Sequence, residues 1–460
     1  MSFLTSLPTF TRAAGLPARY VRGFTPRQQP LMARQSYHHE LRAAMTVPFA
    51  LAMLEAGVIG SVAKFSFGIH EFGVALLVAA PMFANVTSFM WASLAVGRRK
   101  VRLITGIMSV FLLMIASVAV LPQNPVGATM LVVVGVAARC GVAGFLAVRA
   151  VVWRANFPRS ARASITGRFL TLGTLILGTA PVVAGWVLDR EPTAYRWLFP
   201  VAAAIGVIGV FSFARIRLRR EDALLAAERT PDPVQGRRTG PAAMWSVLRH
   251  DAAFRRYMTC QFLAGVANMA GVTAIAVFAL QRLEHHPNRF LISTVLMTSL
   301  PLLIASVSVG PWSRLLDRMH IARFRVRHGV MWVVNQALNM GAAATGSLTL
   351  LALTYTAFGL VRGGGIPAWQ LGHNDFASDT DNALYMTIHQ TLTGVRGLVA
   401  PLLGTFLMTG WPAVGPLPGF VGLGWGVFAV TTVLALLAWV GFIQLSRTLA
   451  REGRNHAADA

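Results

Sequence analysis

Charge is scarce in this chain. Asp, Glu, Lys and Arg make up 13% of its 460 residues, about half the share of an average soluble protein. Hydrophobic residues make up 55%. That balance excludes a disordered chain and argues against an ordinary soluble enzyme. Lysine is nearly missing: it occurs at Lys64 and Lys100 alone, so 41 − 2 = 39 of the basic residues are arginine. Cysteine is limited to Cys140 and Cys260, both inside apolar runs, which argues against a disulfide framework and a thiolate metal site. The sequence holds neither a Gly-x-x-x-x-Gly-Lys-Ser/Thr phosphate loop nor a His-Glu-x-x-His pair. ATP-driven transport and metallo-enzyme chemistry therefore lack support. The expectation is a protein that is not an enzyme and needs no cofactor and no metal.

What the chain has in abundance is long apolar runs. A bilayer core of about 30 Å takes roughly 20 apolar residues of helix. Twelve runs meet this: Ala44–Phe65, Val74–Val96, Val101–Leu121, Val126–Val152, Ile165–Leu188 and Trp197–Ala214, then Met258–Leu280, Phe290–Val309, Val326–Ala344, Leu348–Leu371, Leu384–Met408 and Phe420–Leu445. The ninth and tenth are separated only by Thr345-Gly346-Ser347. The expected fold is an all-α integral membrane protein with twelve spans. A tail over 1–43 precedes a six-span half over 44–216. A polar linker over 217–256 leads to a second six-span half over 257–445 and a tail over 446–460. A short helix is expected near Asp222–Arg229.

Net charge is +24, which in a soluble protein would suggest nucleic acid. Its placement argues otherwise. With both termini in the cytoplasm, the inside segments take Arg98, Arg99, Lys100, Arg154, Arg159, Arg162, Arg314, Arg318, Arg323, Arg325 and Arg327. The outside loops take Arg190, Arg196, Arg282 and Arg289. This is the bias that orients membrane proteins. It accounts for the charge with a lipid bilayer as partner, with no nucleic acid, in a multi-pass protein of the cytoplasmic membrane. The first 39 residues hold five Arg and no acid, a composition shared by organelle transit peptides and by Arg-rich cytoplasmic tails; the tail is the preferred reading.

The two halves look alike. Arg139-Cys-Gly141 in span 4 matches Arg362-Gly-Gly364 in span 10. Ala180-Pro181-Val-Val-Ala-Gly185 in span 5 matches Ala400-Pro401-Leu-Leu-Gly404 in span 11. The offsets, 223 and 220, nearly agree, so a duplicated six-helix unit is the simplest cause. Such halves are related by a pseudo-two-fold axis and enclose a cavity near the membrane midplane.

In span count, linker and short motifs the sequence resembles the major facilitator superfamily of secondary transporters. The family's basic signature between spans 2 and 3 is matched by Gly97-Arg98-Arg99-Lys100, without its Asp-Arg element. The counterpart between spans 8 and 9 is matched by Arg314, Asp317 and Arg318. The resemblance implies that these residues form a cytoplasmic latch. Pro181 and Gly185 resemble the family's antiporter motif. Because Pro401 and Gly404 repeat it, helix packing is the competing reading.

Few polar residues interrupt the spans. Glu55 lies inside span 1, where an ionised group is costly; it is the first candidate for proton coupling, or else a structural partner of a span 4 arginine. Arg139 and Arg362 are buried cations that either bind an anionic substrate or steady the fold. Arg149, nearer the helix end, is expected to snorkel. Lys64, nine residues from Glu55, is on the wrong face to pair with it. His389, Thr393 and Arg396 share one face of span 11, and His389 is the second proton-coupling candidate because imidazole exchanges protons near neutral pH. Asn85, Gln261, Asn268, Asn335 and Asn339 are candidates to line the cavity, or to join helices. His373-Asn-Asp375 reads as a helix cap.

Together these features suggest alternating access for a small-molecule substrate, coupled to protons, by a monomer. Efflux by antiport is the expected function; proton-coupled uptake of an anionic metabolite and a non-transporting sensor or assembly protein on the same scaffold are the alternatives.

Overall fold

The computed structural model describes residue 25 and residues 29–229, 241–377, 381–412 and 418–453. Most of the N-terminal tail, the middle of the linker, Asp379 and the end of the C-terminal tail lie outside them.

Twelve helical spans are present among the described residues. The first half has span 1 (Arg34–Ser66), span 2 (Glu71–Ala95), span 3 (Lys100–Ser117), span 4 (Pro125–Asn156), span 5 (Arg159–Arg190) and span 6 (Tyr195–Phe213). The second half has span 7 (Ala252–Leu283), span 8 (Arg289–Leu316), span 9 (Ile321–Thr345), span 10 (Leu348–Leu371), span 11 (Asn382–Thr409) and span 12 (Val427–Arg451). All but spans 9 and 10 are long and apolar enough to cross a membrane on length and composition alone. Span 9 carries His328, Asn335, Gln336 and Asn339, all buried against other helices, which a sequence-only measure counts as unfavourable.

Local chemistry sets the boundaries. Asn124 accepts from the Gly127 amide at 2.9 Å and Pro125 opens span 4. Asp251 accepts from Phe254 N at 2.8 Å to start span 7. Both are N-caps, which satisfy amides that the first turn leaves without partners. The short break between spans 9 and 10 is real: Gly346 takes φ +65° as the C-cap of span 9, and Ser347 accepts from Leu350 N to start span 10. Span 12 begins later than expected and runs on to Arg451. Its helix begins at Val427, because glycines at 422, 424 and 426 oppose helix formation and Phe420 instead pairs with Trp411 in an antiparallel bridge. The linker holds the expected helix, Glu221–Arg229, and a second, Pro241–His250.

Two spans are broken. Span 1 stops at Ala52 and restarts at Ala56, with Glu55 extended at ψ 145°, then ends in a π turn over Val62–Ser66. Span 8 carries a π turn over Val295–Ser299. The broken parts meet: Gly57 N–H donates to Thr298 Oγ1 at 3.1 Å. A Cβ on Gly57 would sit 2.7 Å from Thr294 Cα, so only glycine permits this approach.

The halves join at one end, opposite the linker. There Asp189 of span 5 accepts from Phe290 N and Leu291 N at 2.8 and 2.9 Å, capping span 8 of the other half. Lys64 pairs with Glu71 at 3.2 Å and Glu284 at 3.4 Å, and Gln281 donates to Glu71 at 3.3 Å. Between described residues, every hydrogen bond and ion pair linking the two halves belongs to this far end or to the Gly57 contact. The apolar core follows the same division. One cluster runs from the first half into the far end of the second, through Ala274, Leu280, Phe290 and Phe428. The linker end of the second half has its own, around Phe254, Tyr257, Phe324 and Leu445.

Candidate functional site

In the first half, the two polar groups predicted from sequence meet each other. The break in span 1 turns Glu55 toward span 4, where its Oε1 lies 3.0 Å from Arg139 Nη2. The same nitrogen donates to the carbonyl of Leu54 at 2.5 Å. Arg139 is thus matched in charge. Arg149 does not snorkel, contrary to expectation. It is buried, donating from Nε and Nη2 to Glu40 at 3.0 and 2.5 Å, while Trp153 Nε1 donates to the other oxygen of Glu40 at 2.9 Å. Glu40 is fully buried. It lies just before the apolar run, where charge is ordinary, so its burial is not legible from composition. Lys64 pairs away from Glu55, as expected.

The second half is built differently. A cavity of about 390 Å³ lies among spans 7, 9, 10, 11 and 12, with Asn85 of span 2 reaching in from the other half. Three arginines line it: Arg325, Arg362 and Arg396. Each comes from a different helix. Arg362 stands fourteen residues past the first residue of span 10, the register Arg139 has in span 4. Its side chain is exposed and has neither hydrogen bond nor ion pair. Arg396 is 5% exposed; Nη1 donates to the Gln261 carbonyl at 2.6 Å and Nη2 to Thr393 Oγ1 at 3.2 Å. It presses on Gly265, where any Cβ would collide with the guanidinium. Arg325 is also 5% exposed, and its Nε and Nη2 have no partner.

Among the described residues, no acid pairs with these arginines. Spans 7 to 12, over their helical bounds, contain not one Asp or Glu. Span 7, the counterpart of span 1, has nothing in the role of Glu55. The rest of the lining is apolar and aromatic, with Trp332, Phe358, Trp369 and Trp439, plus the amides of Asn85, Gln261 and Asn268. Gln261 Oε1 and Asn268 Oδ1 are buried without partners.

Other candidates have different surroundings. Thr393 is a hub: it donates to the His389 carbonyl at 2.8 Å and accepts from Trp369 Nε1 at 3.3 Å. His389 lies behind the lining, fully buried, edge-on to Trp369, with neither ring nitrogen bonded. Asn335 donates to the Thr354 carbonyl of span 10 at 2.9 Å and so joins two helices, whereas Asn339 donates to Gln336 of its own span at 3.1 Å, and Gln336 also accepts from Thr431 of span 12 at 2.9 Å; neither asparagine lines this cavity. Gly185 packs on span 8 and Gly404 on span 7, with Pro181 and Pro401 buried in the same helices. Arg98, Arg99, Arg314, Asp317 and Arg318 are exposed, and their side chains join nothing among the described residues. Gly97 N–H instead donates to Glu228 of the linker helix at 2.8 Å, which also takes Lys100 at 2.5 Å. Asp375 accepts from Ile321 N at 2.6 Å, in the capping role expected of it.

Arg325 escaped sequence reasoning because it was grouped with loop arginines. The signal was there: Arg325, Gly329 and Trp332 fall at i, i+4 and i+7, one helix face, and all three line the cavity.

The family model for the Major Facilitator Superfamily matches residues 43–338. The chain belongs to the major facilitator superfamily. Among solved structures it is similar to a mutant of the nucleoside transporter NupG, with TM-score 0.63 and 12% identity over 89% of this chain and 99% of that one. A POT family transporter in complex with 5-aminolevulinic acid gives 0.61 and 11% over 91% and 96%. A D-xylose-proton symporter gives 0.61 and 11% over 88% and 97%. At such identities the likeness establishes the fold of a membrane transporter and nothing finer. No curated protein matches.

Proposed function

We propose that this superfamily member carries a small organic anion across the cytoplasmic membrane by alternating access, with the linker and both termini in the cytoplasm. In that orientation the hydrogen bonds and ion pairs that join the halves lie toward the outer end. The observation that supports this reading is the C-terminal cavity with three arginines and no carboxylate. Its volume is within the range of small-molecule sites. Guanidinium forks suit carboxylate and phosphate oxygens, and the tryptophans offer a surface for an apolar body. The antiport motif does not favour efflux, since its glycines serve close packing in both halves.

The test is a titration followed by intrinsic tryptophan fluorescence, with phosphate, succinate and benzoate as anions and benzamide as a neutral match for benzoate. Benzoate binding better than benzamide, lost in Arg362→Ala, supports the reading. Equal binding of the two, or no binding by any anion, sinks it.

A second reading, proton coupling at Glu55, is favoured by one observation. Glu55 sits in the break of span 1, two residues before the Gly57 contact that joins the halves. Protonation would release Arg139 beside that joint and shift the balance between states. Glu55→Gln should then abolish pH-driven flux in proteoliposomes while leaving anion binding intact; flux that still follows the pH gradient would exclude it.

A further inference from the structure

The C-terminal cavity raises a question about the unloaded protein that its role as an anion site leaves open. Arg325 and Arg396 are each 5% exposed. Arg325 Nε and Nη2, Arg396 Nε and both ring nitrogens of His389 are buried with no partner. The cavity is lined from the linker-side parts of spans 9, 10 and 12, and Arg362 on that lining is exposed. Alternating access requires a moment when both ends are shut. At that moment an empty cavity would hold three guanidinium groups cut off from bulk water and without a counter-charge, an arrangement that protein interiors avoid. The first half meets no such obstacle, because Arg139 moves together with Glu55.

We infer that the uncompensated arginines hold the unloaded carrier open at the linker end, and that the bound anion is the counter-charge that lets it close. Resting on the anion-site reading, this makes transport an exchange. One anion enters as another leaves, and return of the empty carrier is the slow step. A proton gradient is not needed for that cycle. Asn268 and Asn85 line the same cavity, so a carboxylate placed there by mutation would act as a built-in substitute for the substrate.

The experiment reads opening of the far end without needing a known substrate. Ser293 is fully buried between spans 1 and 8 at the closed joint. In protein carrying Ser293→Cys, with Cys140→Ala and Cys260→Ala, maleimide labelling reports opening. Without anion, labelling is expected to be slow. Arg325→Gln with Arg362→Gln should raise its rate about tenfold or more, the low end of what replacing a buried charge by a neutral group brings. Asn268→Asp, which keeps every arginine, should raise it too and guards against a folding artefact. Unchanged labelling in both variants overturns the inference. In proteoliposomes loaded with whichever of phosphate, succinate or benzoate binds, the same anion outside should speed efflux about tenfold; equal rates overturn exchange. The two readings fail separately. If no anion binds yet neutralisation speeds labelling, the electrostatic hold stands and the substrate class falls. If anions bind and labelling does not move, the hold falls and the substrate class stands.

Discussion

The two halves of this protein share one plan and treat a matching arginine in opposite ways. Arg139 and Arg362 share a register in spans 4 and 10. One is matched at 3.0 Å by Glu55. The other faces a cavity in a half whose helices contain no acid. A buried cation needs a counter-charge, and Arg139 has one in Glu55; Arg362 is exposed and pairs with no acid among the described residues. The difference teaches that a duplicated motif can keep its register while its surroundings diverge, with one copy held in an ion pair and the other left facing a cavity.

The sharpest way to break this comparison is to neutralise both arginines and measure stability. Arg139→Gln leaves Glu55 without its cation. Removing one partner of a buried pair costs about 3–5 kcal/mol, and the partial exposure of Glu55, 22%, places the loss at the low end, about 3 kcal/mol. Arg362→Gln strands no partner and should leave stability within about 0.5 kcal/mol, as surface changes do. Thermal unfolding followed by tryptophan fluorescence checks both. Equal losses would mean that Arg362 has a structural counter-charge after all.

Binding should reverse the order. Arg362→Ala removes a charge-assisted contact worth about 1.5–3 kcal/mol, so anion affinity should fall roughly ten- to a hundredfold, while Arg139→Gln leaves it unchanged when measured below its unfolding temperature. Calorimetric titration with the tightest-binding anion decides. A matching loss in both variants would place the site between the halves, not within the second.

Much of this was legible in the sequence, for physical reasons. Twelve spans followed from the length a bilayer demands, and the repeat from two offsets that nearly agree. Glu55 and Arg139 stood out because ionised groups are rare at that depth. Arg325 and Glu40 did not, because both lie near the ends of apolar runs, where charge is ordinary. Composition cannot separate a charge that turns inward from one that meets water; that depends on which helix covers it. The break at Glu55 was also hidden. Leu51-Ala-Met-Leu-Glu-Ala-Gly57 reads as good helix, and the close approach of span 8 to Gly57 is a tertiary fact.

The far end permits a smaller test. Among the described residues, Asp189 is the one carboxylate that caps a helix of the other half, accepting two amides of span 8. Asp189→Asn keeps one acceptor and removes the charge that favours a helix N-terminus, an effect of about 0.3–1 kcal/mol. Maleimide labelling of Ser293→Cys should therefore quicken about two- to fivefold. No change would mean that Lys64, Glu71 and Glu284 hold that end by themselves.

The smallest effect sharpens the comparison inside the second half. Asn335 and Asn268 are both amides on apolar spans, and sequence treats them alike. Asn335 is 1% exposed and donates to the Thr354 carbonyl at 2.9 Å, tying span 9 to span 10. Asn268 lines the cavity with its Oδ1 unsatisfied. Asn335→Ala should cost about 1 kcal/mol of stability, the worth of one hydrogen bond between membrane helices, and leave anion affinity where it was. Asn268→Ala should do the reverse, lowering affinity by a small factor and sparing stability, since no protein partner is lost. If Asn335→Ala also weakened binding, the helix joint and the cavity would be one mechanical unit, and the tie between spans 9 and 10 would help set the distance between Arg325 and Arg362.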